Sequence, residues 1–227
     1  MRFKVISLIA SFFMILGIMC SCDVGLKNKD VTSKEADTAN FNFTLNTDGT
    51  YTLASVKEGA EFSSILYLPS QYEGVAVTAV GENCFANINA FNKVSIPASY
   101  KKIGVKAFDT CENLNRVTMY GVEEIASNAF ANCTSLWNVD FAPTTKTIGM
   151  FAFSKSKVSS VDLSKTVVEE IGSYAFYKCT VLADVSIPAA TTTVGEFAFA
   201  DCGTIRYVVS EANSNYTVAD GELVAKA

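Results

Sequence analysis

The 227-residue sequence contains no histidine. Without an imidazole, the chain has no Ser-His-Asp or Cys-His catalytic arrangement and no zinc site that uses histidine ligands. The sequence also lacks a G-x-x-x-x-G-K-[ST] loop and a G-x-G-x-x-G turn, the two common phosphate-binding loops. We therefore predict that the protein is not an enzyme and that it uses no cofactor and no metal ion.

Basic residues are also too few to favour a polyanionic partner. The chain has 18 Lys and Arg residues against 23 Asp and Glu residues, which gives a formal net charge of -5. Proteins that bind nucleic acid through phosphate contacts are usually basic. The composition therefore argues against a nucleic-acid partner.

Long apolar runs are absent except at the N-terminus. Arg2 and Lys4 precede an apolar run from Val5 to Met19, which is short for a membrane span and typical of a secretory signal peptide. The run ends in Met-Cys-Ser-Cys, which resembles a bacterial lipobox with Cys22 as the better acceptor for the lipid. We predict a lipoprotein-type signal peptide over residues 1–21 and a lipid-modified Cys22. A signal that is simply cleaved, or an uncleaved anchor, stays open as an alternative.

The segment that follows is polar and contains few large apolar side chains. It reads DVGLKNKDVTSKEADTAN, a composition that cannot bury enough apolar surface to fold. We predict a flexible tether over residues 22–40 and a folded part from residue 41. The protein would then be exported to the cell envelope or cell surface, held at the membrane by the lipid.

The rest of the chain is repetitive. IGVKAFDTCENLNRVTM at residues 103–119 has a close relative, IGSYAFYKCTVLADVSI, at residues 171–187. Aligned on the Phe of the A-F pair, the units are spaced by 23, 22, 23, 23 and 23 residues. The aligned residues are Phe85, Phe108, Phe130, Phe153, Phe176 and Phe199. A period this regular predicts a solenoid, because a single unit cannot bury its own apolar face.

Each unit is expected to supply one short turn and one strand. Ile103, Ala107 and Cys111 recur at the spacing of one helical face, which predicts a short helical or 3-10 stretch. Val117 and Met119 then alternate with polar residues, which is the pattern of a strand with one buried face. The fourth unit is one residue shorter between its Phe and its strand, so we expect an irregularity in the stack there.

The repeat I-G-x-x-A-F-x-x-C-x-x-L-x-x-V-x-I-P resembles the BspA-like, or Treponema-type, leucine-rich repeats of bacterial surface proteins. The resemblance implies a right-handed stack of about six coils of 22–23 residues, with a parallel β ladder and little regular α-helix. We accordingly assign residues 41–79 to an N-terminal cap and half-coil, 80–209 to six repeats and 210–227 to a C-terminal cap. Members of this family are typically surface proteins linked to adhesion.

Four of the cysteines occupy one repeat position, and neighbouring coils bring them together in pairs. Disulfides Cys111–Cys133 and Cys179–Cys202 are chemically possible in an exported protein. Equivalent side chains in a ladder point the same way, however, so we expect buried, reduced thiols. The sequence contains no C-x-x-C motif, which would indicate a thiol redox site.

Charged residues directly precede the isoleucine of the repeat's I-G pair, and their sign alternates from coil to coil. Lys101 and Lys102 are followed one coil later by Glu123 and Glu124, and then by Lys146. Opposite charges on adjacent strands contribute about 0.2 to 1 kcal/mol and disfavour the wrong register. We interpret these columns as part of the stack and not as a ligand site.

A partner is expected to bind the outward face of the ladder, the surface that solenoids normally use. Tyr and Arg are the residues most enriched at binding hot spots, and acidic side chains follow them in the later coils. The predicted contacts are Tyr67, Lys93, Arg116, Thr118, Tyr120, Asp140, Asp162, Asp184 and Tyr207.

These observations predict an exported binding or adhesion module whose partner is a protein or glycan on a host or neighbouring cell. One alternative is a structural surface component with no dedicated ligand. The other is a carbohydrate-active enzyme, because Asp140 and Asp162 fall at matching strand positions about 5 Å apart, a separation found in catalytic carboxylate pairs. An open ladder does not desolvate a carboxyl group, so two solvated acids are the favoured interpretation of that pair.

Overall fold

The computed structural model describes residues 38–226. The predicted signal peptide, Cys22 and most of the predicted tether lie outside the described residues. Within this range no helix is long and apolar enough to cross a membrane.

The described part consists almost entirely of short strands. One 3-10 helix, Thr38–Asn40, precedes them. In chain order the strands are β1 (Phe41–Leu45), β2 (Tyr51–Val56), β3 (Ile65–Tyr67), β4 (Gln71–Tyr72), β5 (Val75–Val80), β6 (Lys93–Ile96), β7 (Lys102–Ile103), β8 (Arg116–Met119), β9 (Glu124–Ile125), β10 (Asn138–Asp140), β11 (Thr147–Ile148), β12 (Ser160–Asp162), β13 (Glu170–Ile171), β14 (Asp184–Ile187), β15 (Thr193–Val194), β16 (Arg206–Val209), β17 (Tyr216–Ala219) and β18 (Glu222–Ala225).

These strands form a β-solenoid of about seven turns, which confirms the predicted leucine-rich repeat fold. Each coil contributes one strand to each of two ladders. The main ladder contains β3, β6, β8 and β10, followed by β12, β14 and β16, and all its pairs are parallel. The side ladder runs from β1 and β2 through β5 to β7, β9, β11, β13 and β15. The hydrophobic core lies between the two ladders and the turn segments that join them.

The predicted helical stretch within each coil is wrong. Between Ile103 and Cys111 the chain makes successive turns, and Lys106 and Thr110 have positive φ angles of 53° and 59°. Left-handed residues at these two positions interrupt any helix, and the equivalent pair recurs in every coil. Backbone N–H groups in the turns therefore alternate their partners. Asp109 donates within its own coil to Lys106, whereas Phe108 and Thr110 donate to carbonyl groups of the next coil at 2.8 and 2.9 Å.

The aligned phenylalanines form a continuous aromatic column, here called the Phe spine: Phe85, Phe108, Phe130, Phe153, Phe176 and Phe199. Neighbouring rings stack with centroids 4.9–5.4 Å apart and planes within 4–6° of parallel. Phe41 and Phe62 contact Phe85 and cover the first ring of the column. At the other end, Phe199 is half-buried and is contacted edge-on by Tyr207.

The cysteines of the coils support the spine as free thiols. The thiol of Cys111 donates to the carbonyl of Phe85 in the previous coil at 3.1 Å, and Cys133 donates to Phe108 in the same way. Cys179 and Cys202 repeat the contact with Phe153 and Phe176. Each of these carbonyl groups also accepts a backbone N–H of its own turn, so the thiol provides a second hydrogen bond to a buried acceptor.

The alternating charges form ion pairs along the side ladder. Lys102 lies 2.7 Å from Glu124, and Glu123 contacts both Lys101 at 3.5 Å and Lys146 at 2.8 Å. The hydrogen bond and charge of Lys146 lower the pKa of the Glu123 carboxyl group. All these side chains are well exposed, so they influence register more than stability.

The main ladder is interrupted between β10 and β12, which are not hydrogen-bonded as neighbours. Phe130 to Val139 spans nine positions, whereas Phe153 to Val161 spans eight. The coil that carries β12 is therefore one residue shorter than its predecessor where the ladder is interrupted, which agrees with the expected irregularity in the stack. A bond from Ser159 N to Trp137 O, at 3.3 Å, still joins the two coils where the strands begin.

The C-terminal hairpin covers one side of the last coil. The hydroxyl of Tyr216 accepts a hydrogen bond from Val194 N at 2.8 Å, at the exposed edge of the side ladder. Asn213 is buried and donates to the carbonyl groups of Pro188 and Thr191. These side chains replace the bonds that a further strand would make.

Candidate partner-binding face

The outward side chains of the main ladder form the candidate binding surface, here called the ladder face. In β8, Val117 and Met119 are buried, whereas Arg116 is exposed and Thr118 is partly so. The same alternation holds in β3, β6, β10, β12 and β14. The two-residue period of a strand thus brings the polar residues of successive coils together on one surface.

Two registered rows cross the first half of this face. The first row contains Ile65, Lys93, Arg116 and Asn138. The second row contains Tyr67, Ser95, Thr118 and Asp140. Adjacent strands in a sheet lie about 4.8 Å apart, so each row extends about 14 Å across four strands. Five of the nine predicted contacts therefore lie on one four-stranded sheet. A sixth, Tyr120, directly follows β8 of that sheet.

The centre of this half is an ion pair. Arg116 donates to Oδ2 of Asp140 from Nε at 3.2 Å and from Nη2 at 2.8 Å, and the Thr118 hydroxyl reaches the same oxygen at 3.0 Å. Tyr67 and Tyr120 are 44% and 50% exposed. The result is a hydrogen-bonded polar cluster two residues from Tyr120, with Tyr67 on the same face two strands from Arg116.

The predicted acidic stripe is not a row of free charges. Asp140 is paired with Arg116, and Asp184 is paired with Arg206, whose Nε lies 2.7 Å from the carboxylate. Asp162 accepts hydrogen bonds from Ser164, through its hydroxyl and its backbone N–H, and from the Ser186 hydroxyl. These bonds lower the pKa of Asp162. In the second half of the face, Arg206 therefore offsets the charge of Asp184, whereas Asp162 stays ionised.

The pairing of Asp140 with Asp162 as catalytic carboxylates finds no support in this geometry. The two residues lie on either side of the break in the main ladder, and each is bonded to its own partners. A general acid needs a raised pKa, but the Ser164 bonds shift that of Asp162 in the opposite direction. Within residues 38–226, no group of three His, Cys, Asp or Glu is placed to hold a metal ion either.

The placement of Tyr207 on the ladder face is wrong. Tyr207 pairs in register with the buried Val185, contacts Phe199 and is half-buried, and burial raises its pKa to about 12. From Cys179 to Val185 there are six positions, but from Cys202 to Tyr207 there are five. The missing residue reverses the alternation, because a one-residue shift moves every side chain to the opposite face.

Sequence reasoning therefore missed two outward residues in β16. Arg206 and Val208 occupy the outward positions, and Val208 is 57% exposed. Trp137, 52% exposed just before β10, was also missed, because it lies at the bend between a turn segment and a strand. The shortened spacing after Cys202 is the signal that could have identified Arg206 and Val208.

Comparison with known proteins agrees with the fold. The sequence model of the BspA type leucine rich repeat region matches six copies over residues 61–121 and 117–219, more than half of the chain. A leucine-rich repeat protein from T. pallidum is similar in structure, with 30% identity, 78% of this chain and 85% of that one covered, and a TM-score of 0.69. No curated protein matches the chain.

Two further solved structures share the fold at lower identity. A leucine-rich repeat protein from Bacteroides ovatus has 23% identity, with 74% of this chain and 45% of that one covered and a TM-score of 0.62. A leucine rich cell surface protein from Faecalibacterium prausnitzii has 20% identity, with 91% of this chain and 60% of that one covered and a TM-score of 0.52. The chain spans about half the length of these two relatives. By its repeats and by its structure, the chain belongs to the BspA-type leucine-rich repeat proteins.

Proposed function

We propose that the protein is a surface-exposed binding module that holds a protein or glycan partner on the first half of the ladder face. The observation that carries this proposal is that two half-exposed phenol rings share one face with the bonded Arg116–Asp140 pair. Tyr120 directly follows β8, which carries Arg116, and Tyr67 lies on β3 of the same sheet, two strands away. Tyr and Arg contribute most at interfaces when they are held rigidly and lose little conformational entropy on binding. Lys93 and Thr118 complete the proposed contact surface.

The test is a pair of matched double variants on the two halves of the face. Arg116→Met with Tyr120→Ala removes the proposed contacts. Arg206→Met with Val208→Ala makes a comparable change on the second half, where an arginine is also paired with an aspartate. Both variants should retain the thermal melt of the parent protein, because the four side chains are exposed.

Binding is measured at physiological salt against extracellular-matrix proteins, glycans and surface extracts of neighbouring cells. We expect saturable binding that the first variant loses and the second retains. Equal binding by both variants would place the site elsewhere. No binding by the parent protein would leave a structural surface component as the better explanation.

The proposed location at the cell surface includes a lipid on Cys22. It is supported by the lipobox-like Met-Cys-Ser-Cys and by the surface proteins in this family. Growth with an alkyne fatty acid should label the parent protein and a Cys20→Ser variant but not a Cys22→Ser variant. Labelling that survives Cys22→Ser would contradict the assignment.

A further inference from the structure

A polar groove of about 330 Å³ lies at the bend where the turn segments of the first coils lead into the main ladder. Its polar lining is uncharged: Ser64, Asn89, Asn92, Asn113, Asn115 and Ser135. The volume falls at the lower end of the range of small-molecule sites. The absence of charged side chains in the lining favours a neutral ligand over an anionic one.

Two of these asparagines present unused amide groups to the groove. Asn113 is held by Asn89, since its Nδ2 donates to the Asn89 carbonyl at 2.8 Å and its N–H donates to the Asn89 side chain at 3.3 Å. The side chains of Asn92 and Asn115 make no hydrogen bond within residues 38–226. Asn115 N donates to Asn92 O at 2.8 Å, so these two residues occupy equivalent positions in adjacent coils. Each amide offers two donors and an acceptor, so the pair forms a fixed hydrogen-bonding surface.

The same column continues into Trp137. Trp137 N donates to Asn115 O at 3.2 Å, which places the tryptophan one coil beyond Asn115. Its side chain is 52% exposed, and it makes no ring contact with another aromatic residue of the described part. Trp137 is not part of the lining of the groove but adjoins it, one coil beyond Asn115 and two residues after Ser135. An exposed indole next to free amides is a combination that binds a sugar. The ring contacts the apolar C–H face of a pyranose, and the amides bind its neighbouring hydroxyl groups.

The repeat itself does not require these residues. In the next two coils the column continues with Ser159, which is bonded to Trp137 O, and Ala183, which is bonded to Ser159 O. The Phe spine and the side ladder continue through those coils without an asparagine there. The asparagines and the tryptophan are therefore particular to the first half of the solenoid.

We infer that the groove beside Trp137 is a binding site for a neutral oligosaccharide. It adjoins the ladder face, since Asn92 and Asn115 directly precede Lys93 and Arg116, but it uses different side chains from Tyr67, Arg116 and Tyr120. Asn92 and Asn115 bind the hydroxyl groups, Trp137 stacks on one sugar ring, and Asn89 and Asn113 form the wall opposite.

The single tryptophan of the sequence provides the assay. The purified protein is titrated with a panel of neutral hexasaccharides built from glucose, mannose, galactose or N-acetylglucosamine, and tryptophan emission is followed. A ligand that stacks on Trp137 shifts the emission, and the Arg116→Met, Tyr120→Ala double variant distinguishes it from a ligand on the neighbouring ladder face. We expect a saturable shift with at least one member of the panel.

Variants separate the site from non-specific effects. Asn92→Ala with Asn115→Ala keeps the fluorophore and should weaken binding at least about tenfold, because each lost hydrogen bond contributes on the order of 1 kcal/mol. Arg116→Met with Tyr120→Ala should leave the titration unchanged. Trp137→Ala, followed by calorimetry, should abolish binding while the melt is retained.

Three outcomes would overturn the inference. The first is the absence of a saturable shift with every neutral hexasaccharide. The second is undiminished binding by the Asn92, Asn115 double variant. The third is a response to acidic oligosaccharides or uncharged peptides alone.

Discussion

Removing one ring from the middle of the Phe spine should destabilise the protein far more than removing the last ring. Phe130 is fully buried, and its ring stacks on Phe108 at 5.1 Å and on Phe153 at 5.2 Å. Phe199 is half-buried and has one stacked neighbour, Phe176 at 5.4 Å. The two residues occupy the same repeat position, so the comparison isolates the effect of the place in the stack.

The expected magnitudes follow from burial and stacking. Phe130→Ala leaves a cavity in a rigid core and removes two stacked pairs, which should lower the free energy of unfolding by about 3 to 5 kcal/mol. Phe199→Ala loses roughly half of the buried area and one stacked pair, so we expect a loss of about 2 kcal/mol. For a domain of this size, the Phe130→Ala value corresponds to a decrease in Tm of roughly 6–20 °C.

Urea denaturation of the parent protein and both variants, followed by circular dichroism, measures the difference. In a solenoid each coil contacts only its neighbours, so a central defect weakens two interfaces and a terminal defect weakens one. Equal losses for the two variants would refute this reasoning. A loss below about 1.5 kcal/mol for Phe130→Ala would do the same, because it would mean that the stack closes over the missing ring.

Three further predictions concern strain, thiol reactivity and pH. Thr110→Asn should raise the free energy of unfolding by about 1 kcal/mol, because Thr110 has a positive φ that asparagine tolerates better. Urea denaturation measures the difference, and no change would mean that the turn carries no strain. Among the five cysteines of residues 38–226, Cys202 should react first with a thiol reagent, because it is only half-buried and a hydrogen bond with Cys179 lowers its pKa. Burial raises the pKa of Cys111 to about 12, so equal labelling of Cys202 and Cys111 in mass spectrometry of the labelled peptides would contradict the assignment. Burial raises the pKa of Tyr207 from about 10 when unfolded to about 12 when folded, so stability should fall between pH 10 and pH 12, where the unfolded chain alone loses the proton. Tyr207→Phe should reduce that slope in urea denaturation at pH 9.5 and 11.5, and an unchanged slope would refute the assignment.

The fold could be predicted from the sequence because its main signals are periodic. The spacing of the phenylalanines gives the length of a coil, and the alternation at Val117 and Met119 gives the buried face of each strand. Both signals recur several times, so an error in one coil does not change the result. The same redundancy places Tyr67, Lys93 and Arg116 correctly on one face.

The turn segments could not be predicted from hydrophobic spacing alone. Ile103, Ala107, Phe108 and Cys111 are all buried, as they would be on one face of a helix. Alternating right-handed and left-handed turns bury the same side chains, so the pattern does not separate the two structures. Asparagine at four of the left-handed positions, Asn83, Asn87, Asn128 and Asn132, is the signal that favours the turns.

Local changes of length were the second source of error. The fourth coil is one residue shorter where the main ladder is interrupted, and one missing residue in the sixth coil turns Tyr207 inward. A periodic alignment averages over such deletions, although a shift of one residue is enough to move the side chains of a strand to the opposite face. The groove beside Trp137 was missed for a different reason, because it depends on how three coils meet at a bend.

The interruption between β10 and β12 divides the solenoid into two halves, which carry different residues at one left-handed position of the repeat. In the first half, the left-handed position two residues before each spine phenylalanine holds Asn83, Lys106 or Asn128, and the main ladder is continuous. In the second half the same position holds Phe151, Tyr174 and Phe197, whose rings stack at 4.8 and 5.2 Å. A bulky residue with positive φ costs on the order of 1–2 kcal/mol, and stacking offsets part of that cost. The free amides of Asn92 and Asn115, Trp137, Tyr67 and Tyr120 all lie in the first half. Both proposed sites therefore rest on the four-stranded sheet from β3 to β10, whose unbroken hydrogen bonding can hold their side chains in place.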